Sequence, residues 1–164
     1  MNTITLAELG KNTVFCIDRK ERGLTRVASS VSRDFQYITG APHYEMRVVS
    51  EESPDSGSCT NAQTIITAGI IGNGGYIDEC CEKKIICTES IINKKECYKI
   101  FVKETNGKTL IIIAGSDLLG AEYGLLKLSS LAGISPWHYW ADVHPKKRKV
   151  ISVSKKELEI ESSE

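Results

Sequence analysis

The sequence is short of rings, prolines and net charge. Aromatic residues make up 7% of it, with 2 Trp and 3 Phe, and there are only 4 Pro and 3 His. So little proline excludes a proline-rich recognition segment. Lys+Arg and Asp+Glu are both 21, for a formal net charge of +0 and a pI near 6.8. No bulk field gathers nucleic acid or an acidic lipid surface, and neither is expected as a partner. Long apolar runs are missing as well. The longest, residues 64–71 and 109–115, are each under half of the roughly 20 residues that a spanning helix needs, so no membrane helix is expected. The first eight residues carry neither a basic stretch nor an apolar one of signal-peptide length. Export is therefore unsupported: the chain is expected in the cytoplasm if its start is native, or to follow a removed leader if it is not.

Several chemical signatures are absent too. No Gly-x-Ser-x-Gly elbow, no G-x-G-x-x-G and no Cys-x-x-Cys occurs, and the glycine turn at 69–75 lacks a Gly-Lys-Ser/Thr ending. What is present is an ordinary globular composition, 41% hydrophobic and 26% charged in 164 residues and 18.1 kDa, which suits one domain with a sizeable core. Six cysteines at irregular spacing (Cys16, Cys59, Cys80, Cys81, Cys87, Cys97) read as reduced and mostly buried, because a chain this long folds without bridges.

The patterning predicts alternating strands and helices. Residues 13–18 read as a short buried strand. From Leu24 onward Val27, Ala28, Val31, Phe35 and Ile38 form the stripe of a one-sided helix, closed by Gly40 with Pro42 beyond. Residues 44–50 alternate weakly as a second strand, and 51–61 collect Ser, Pro, Asp and Gly as a surface loop. Residues 64–71 are β-branched and read as an interior strand, turned by Gly72-Asn73-Gly74-Gly75 into a short helix through Ile77, Cys80 and Cys81. An irregular stretch over 82–95 follows. Residues 97–103 and 108–114 then flank Asn106-Gly107, a strong hairpin turn, and are expected as antiparallel neighbours. Leu118, Ala121, Leu125, Leu128 and Ala132 mark the inward stripe of a last long helix, with Gly120 and Gly124 on one face for close approach and Gly133 and Pro136 as its stop. The order βαββαββα predicts an α/β or α+β domain with a mixed sheet over residues 1–149. Residues 150–164 read as a charged tail or the start of a linker, whose alternating patch at 150–153 either pairs at an edge or lies loose.

Each candidate chemistry competes with a plain structural role. The glycine turn after the third strand is where amides cradle phosphate, but it lacks both phosphate-binding fingerprints and reads as an ordinary strand-to-helix turn. Cys80, Cys81, Cys87 and Cys97 lie close in sequence, yet adjacent helical cysteines point about 100° apart, and no zinc shell with His43, His138 or His144 follows. Asp117, Glu122 and Asp142 are the acids nearest the glycines and aromatics, but no catalytic pair is nominated. Asp117 follows Ser116 at a helix start, where both suit capping. The most unusual feature is the segment 135–143, Ser-Pro-Trp-His-Tyr-Trp-Ala-Asp-Val, which holds both tryptophans. Large amphipathic rings just after a domain's last helix suit packing against an adjoining domain, and secondarily stacking on a sugar.

Residues 114–124, Ala-Gly-Ser-Asp-Leu-Leu-Gly-Ala-Glu-Tyr-Gly, run into that aromatic segment in a way that resembles the N-terminal region of glycoside hydrolase family 115, the xylan α-1,2-glucuronidases. The resemblance extends through residues 34–40, 68–72, 76–79 and 96–102 and covers roughly 13–149. Where the family shows Trp-Tyr-Trp-Trp, this chain has Trp137-His138-Tyr139-Trp140. The resemblance implies an N-terminal α/β accessory domain that precedes a TIM-barrel catalytic domain in one parent chain acting on glucuronoxylan. Trp137, Tyr139, Trp140 and Asp142 are then expected at the domain junction or as sugar contacts. It implies no catalytic residue here, no cofactor and no metal, and self-association through the junction where the barrel is missing. The rival expectation is a free-standing carbohydrate-binding module using Trp137 and Trp140.

Overall fold

The structure is a computed structural model that describes residues 3–55, 57–59, 61–134 and 145–159. Its core is a five-stranded sheet in the order β3-β2-β4-β6-β5, made of β2 (Thr13–Ile17), β3 (Met46–Ser50), β4 (Thr64–Ile70), β5 (Tyr98–Thr105) and β6 (Lys108–Gly115). Four strands are parallel, and β5 pairs antiparallel with β6 at one edge. The sheet is mixed, as the βαββαββα pattern predicts, because β5 and β6 are joined by a tight hairpin and the other strands by crossovers. At that hairpin Asn106 and Gly107 take φ of 51° and 77°, both on the positive side that a type I′ turn requires.

One face of the sheet carries α1 (Arg22–Thr39) and α3 (Leu118–Leu131). Leu24, Ala28, Val31, Phe35 and Ile38 on α1 and Ala121, Leu125 and Leu128 on α3 bury against Phe15, Ile17, Ile66, Ile111 and Ile113 in one continuous core. The Phe15 and Phe35 rings sit 5.9 Å apart, a tilted pair worth about 1 kcal/mol beyond its area. Helix α1 ends as its sequence predicts, with Gly40 left-handed at φ 76° and its N–H donated to the Gln36 carbonyl. The opposite face is covered lightly by α2 (Tyr76–Glu82) and by the loops over 51–63 and 83–97.

Four particulars differ from the sequence pattern. Strand β3 starts at Met46, not 44, because Pro42 leads a single 3₁₀ turn over His43–Glu45. Leu118, expected on the buried stripe of α3, is 43% exposed and lies over Gly23. Helix α3 is apolar around most of its circumference, so periodicity alone does not choose its inward face. The choice falls to Gly120 and Gly124, where an added Cβ would lie 2.1 Å from the Cys97 carbonyl oxygen and 2.4 Å from Ile113 Cγ2. The third difference is β1 (Thr3–Glu8), for which the sequence offered no assignment. The fourth is its partner β7 (Val150–Ser154), which neither pairs at an edge of the large sheet nor lies loose but joins β1 in a separate two-stranded ribbon and runs into the single turn α4 (Lys155–Leu158).

The β1–β7 ribbon is antiparallel and slips register between Thr5 and Ala7, so that Leu6 and Ala7 both turn inward and are buried. It caps the amino-terminal edge of the large sheet: the Thr13 and Thr64 hydroxyls donate to the Leu6 and Thr5 carbonyls at 3.1 and 3.3 Å. Ile151, Val153 and Leu158 join the main core. Among the described residues the carboxyl-terminal end of the sheet is left open.

Candidate functional site

The chain leaves β2 through α1 to β3 on one side, then places β4 on the other side of β2. The sheet's strand order therefore reverses between β2 and β4. At such a reversal the loops leaving neighbouring strands diverge and open a crevice at the carboxyl ends, the usual binding position in open α/β sheets. This molecule has that crevice. An inner chamber of about 70 Å³ is floored by Thr67 and Gly69 of β4, walled by Tyr76 and Ile77 of α2 and by Glu51 and Glu52 after β3, and rimmed by Asp18, Lys20, Glu21 and Asn73. It opens into a trough of about 630 Å³ along Arg19, Ser50, Ser53 and Asp55.

Local sequence explains each wall. Gly69 lets α2 close on β4, since a Cβ there would stand 2.6 Å from Ile77 Cγ1. Asp18 directly follows the last residue of β2 and accepts from the Lys20 amide at 2.9 Å, an Asx turn that bends the chain into α1. The Glu51 amide extends the β2–β3 ladder by donating to the Ile17 carbonyl at 3.2 Å, and its side chain accepts from Ser58 Oγ at 2.8 Å. Glu21 faces Asn73 Nδ2 at 3.4 Å.

The glycine turn beside the crevice is not an anion cradle. The Gly72 and Gly74 amides donate to the two carboxylate oxygens of Asp78, at 2.8 and 2.6 Å. The chain's own carboxylate thus fills the place a phosphate would take, and the plain-turn reading holds. None of Asp18, Glu21, Glu51 and Glu52 lies in an ion pair among the described residues, where the pairs are Lys11–Glu8 and Lys83–Glu79. The crevice is predominantly acidic, with Lys20 on its rim and Arg19 along the trough as the basic side chains.

Its thiol and phenol neighbours are held in their neutral forms. Burial first, and then the adjacent Cys59, pushes the Cys16 thiol far above its usual range. Burial and the Cys80 thiol do the same to the Tyr76 phenol. All six cysteines are free thiols, with Cys16, Cys59, Cys80 and Cys97 buried and Cys87 exposed. Among the described residues no group of three or more His, Cys, Asp or Glu side chains is placed to share a metal ion.

Asp117, read from sequence as a cap, is one: it accepts from the Gly120 amide at 2.8 Å and from the Glu96 amide at 2.9 Å. It ties the 83–97 loop to the start of α3. Glu122 sits over Gly23, away from the crevice. Trp137, Tyr139, Trp140 and Asp142, with His138 and His144, lie outside the described residues. The crevice itself escaped the sequence reading because its residues follow three different strands. The available signal was an acid at the end of a predicted strand, at Asp18, or directly after one, at Glu51-Glu52.

No family model and no curated protein matches the chain. Among solved structures, CpGH84D superposes with a TM-score of 0.50 at 13% identity over 90% of this chain and 21% of its own, a likeness of fold alone. BtGH115A, a family GH115 4-O-methyl-alpha-glucuronidase with specificity for decorated arabinogalactans, superposes with a TM-score of 0.67 at 26% identity over 99% of this chain. The match spans only 18% of the length of that enzyme, so the present chain corresponds to a fraction of it. The likeness over nearly the whole chain supports a GH115-like domain.

Proposed function

We propose that this chain is the non-catalytic N-terminal α/β domain of a larger GH115-like α-glucuronidase. In that setting it packs against a TIM-barrel catalytic domain and braces the barrel's sugar-acid site. The observation that carries the reading is the superposition on BtGH115A, which takes in 99% of this chain and 18% of that enzyme. A unit that fills so small a fraction of a hydrolase, without a nominated acid pair of its own, suits bracing better than turnover. The substrate class of the whole enzyme is a polysaccharide decorated with glucuronic acid or its 4-O-methyl form. The sequence resemblance implies xylan as the backbone, and the structural neighbour acts on decorated arabinogalactans. Trp137, Tyr139, Trp140 and Asp142 are assigned to the junction with the barrel, because paired large aromatic rings suit burial between domains.

Two measurements test this. Incubated with decorated xylo-oligosaccharides and decorated arabinogalactan, the isolated 164-residue chain should release no uronic acid above a blank, and release would overturn the non-catalytic assignment. Immunoblotting of source cells should give a band several times heavier than 18.1 kDa. A band at 18.1 kDa, together with saturable quenching of tryptophan fluorescence by the same oligosaccharides, would replace this reading with a free-standing binding module.

A further inference from the structure

Two of the free thiols are brought together by the fold from distant parts of the sequence. Cys16 lies near the carboxyl end of β2, and Cys59 on a single 3₁₀ turn over Gly57–Cys59 in the loop after β3. Each is 1% exposed, and they share one small apolar cluster with Val14 and Ala62. Their side chains are hydrogen-bonded to each other, and Cys16 Sγ also donates to the Glu51 carbonyl at 3.8 Å. The remaining cysteines are placed otherwise. Cys80 and Cys81 are chain neighbours on α2 and point about 100° apart, Cys97 Sγ donates to the Lys95 carbonyl at 3.2 Å, and Cys87 is exposed. Side chains in hydrogen-bond contact need little movement to reach S–S bonding distance, whereas cysteines on separated backbones cannot be joined without displacing the fold.

We infer that Cys16 and Cys59 are a covalent modification site: when the chain folds among small-molecule disulfides, such as oxidised glutathione, the pair closes into one buried disulfide. One cysteine, as its thiolate, attacks a sulfur of the small disulfide, whose S–S bond breaks and releases one thiolate. The other cysteine, deprotonated in turn, attacks the protein sulfur of that mixed disulfide, forms the Cys16–Cys59 bond and expels the second thiolate. The two protein thiols are oxidised by two electrons, the small disulfide is reduced to two thiols, and the protons given up by the cysteines end on them. Once formed, the bond lies in the dry cluster under the 51–63 loop, out of reach of a dissolved thiol. The bridge also bears on the crevice. Glu51 and Glu52 wall the chamber and Ser53 and Asp55 line the trough, so a bond at Cys59 pins the loop that carries them to β2. The inference does not depend on the enzyme assignment.

The test is refolding of the full 164-residue chain from urea in a buffer of reduced and oxidised glutathione, where every sulfur starts accessible and the native fold selects the pair. Remaining thiols are capped with N-ethylmaleimide in urea, and a digest with trypsin and a glutamate-specific protease is read by mass spectrometry. One cross-linked pair of peptides, joining Cys16 to Cys59, is expected in most chains, and Cys87→Ser should leave its yield unchanged. The bridged chain should melt about 5–10 °C above the same chain refolded with dithiothreitol. Added to the native bridged chain, reduced glutathione should strip any mixed disulfide from Cys87 and leave the Cys16–Cys59 bond intact. Native chain without that pair, a different predominant pair, a yield that falls with Cys87→Ser, a bridged chain that melts below the reduced one, or a bond removed as fast as the mixed disulfide at Cys87 would each overturn the inference.

Discussion

At the scale of single residues, two constraints are set by atoms too close or too dry to change. Gly120 faces the Cys97 carbonyl at a distance no Cβ survives, so Gly120→Ala forces α3 away from the start of β5. Alanine gains about 1 kcal/mol in helix propensity, and the clash costs more than that. The expected net loss is about 2 kcal/mol by urea unfolding, whereas Gly57→Ala, which meets nothing within 4 Å, should lie within about 0.5 kcal/mol of the parent. The second constraint is protonation. Cys16 and Cys80 are both raised above the ordinary thiol value of 9.0, chiefly by burial, and Tyr76 and Tyr98 above the ordinary phenol value of 10.0 for the same reason. The native state keeps these protons where the unfolded chain releases them. Their contribution is therefore complete below pH 9 and drains away as pH rises past it, joined by the phenols past 10. Urea midpoints should fall as pH rises from about 9 to about 11, and Cys16→Ala should flatten that fall while lowering the midpoint at neutral pH.

At the scale of elements, α3 is the instructive case. Leu125 is fully buried and its chain neighbour Leu126 is 44% exposed, so one residue of helical rotation exchanges core for surface. Leu125→Ala should cost about 3 kcal/mol and Leu126→Gln within about 0.5 kcal/mol, compared by the same unfolding titration. Periodicity alone could not have made that choice, because Leu118, Leu119, Tyr123 and Leu126 extend the apolar surface to the outside of the helix. Helix α1 was legible for the opposite reason, since its apolar residues lie on one side and Gly40 ends it with a left-handed turn. The β5–β6 hairpin was equally legible, because Asn106-Gly107 encodes a local backbone shape. Strands β1 and β7 were not, since the information lies in their pairing: five or six residues of weak alternation become a ribbon only when Thr3 meets Ser154 across almost the whole chain. The crevice was hidden by the same distance in sequence, its acids and Thr67 being contributed by three strand ends that only the sheet order brings together.

At the scale of the whole molecule, the fold is a sheet with one end closed by its own terminal segments and, among the described residues, a crevice at the other. Closure should carry a sizeable share of the stability. Removing residues 150–164 takes Ile151, Val153 and Leu158 out of the core and strips β1 of its partner. Their burial alone is worth about 5 kcal/mol, comparable to the net stability of an ordinary domain. A 1–149 fragment should therefore lose its cooperative thermal transition, and a sharp transition near the parent's would show the ribbon to be dispensable. The ribbon has a mechanical consequence as well. Thr3 and Ser154 form its outermost rung, and the remaining rungs follow in order toward Glu8 and Val150. Tension applied through the two ends of the chain would first draw α4 and Leu158 from the core, then load one rung at a time, as in a zipper, and would spare the parallel ladders until the ribbon had opened. The domain is thus built to yield at its ends before the sheet that frames the crevice does.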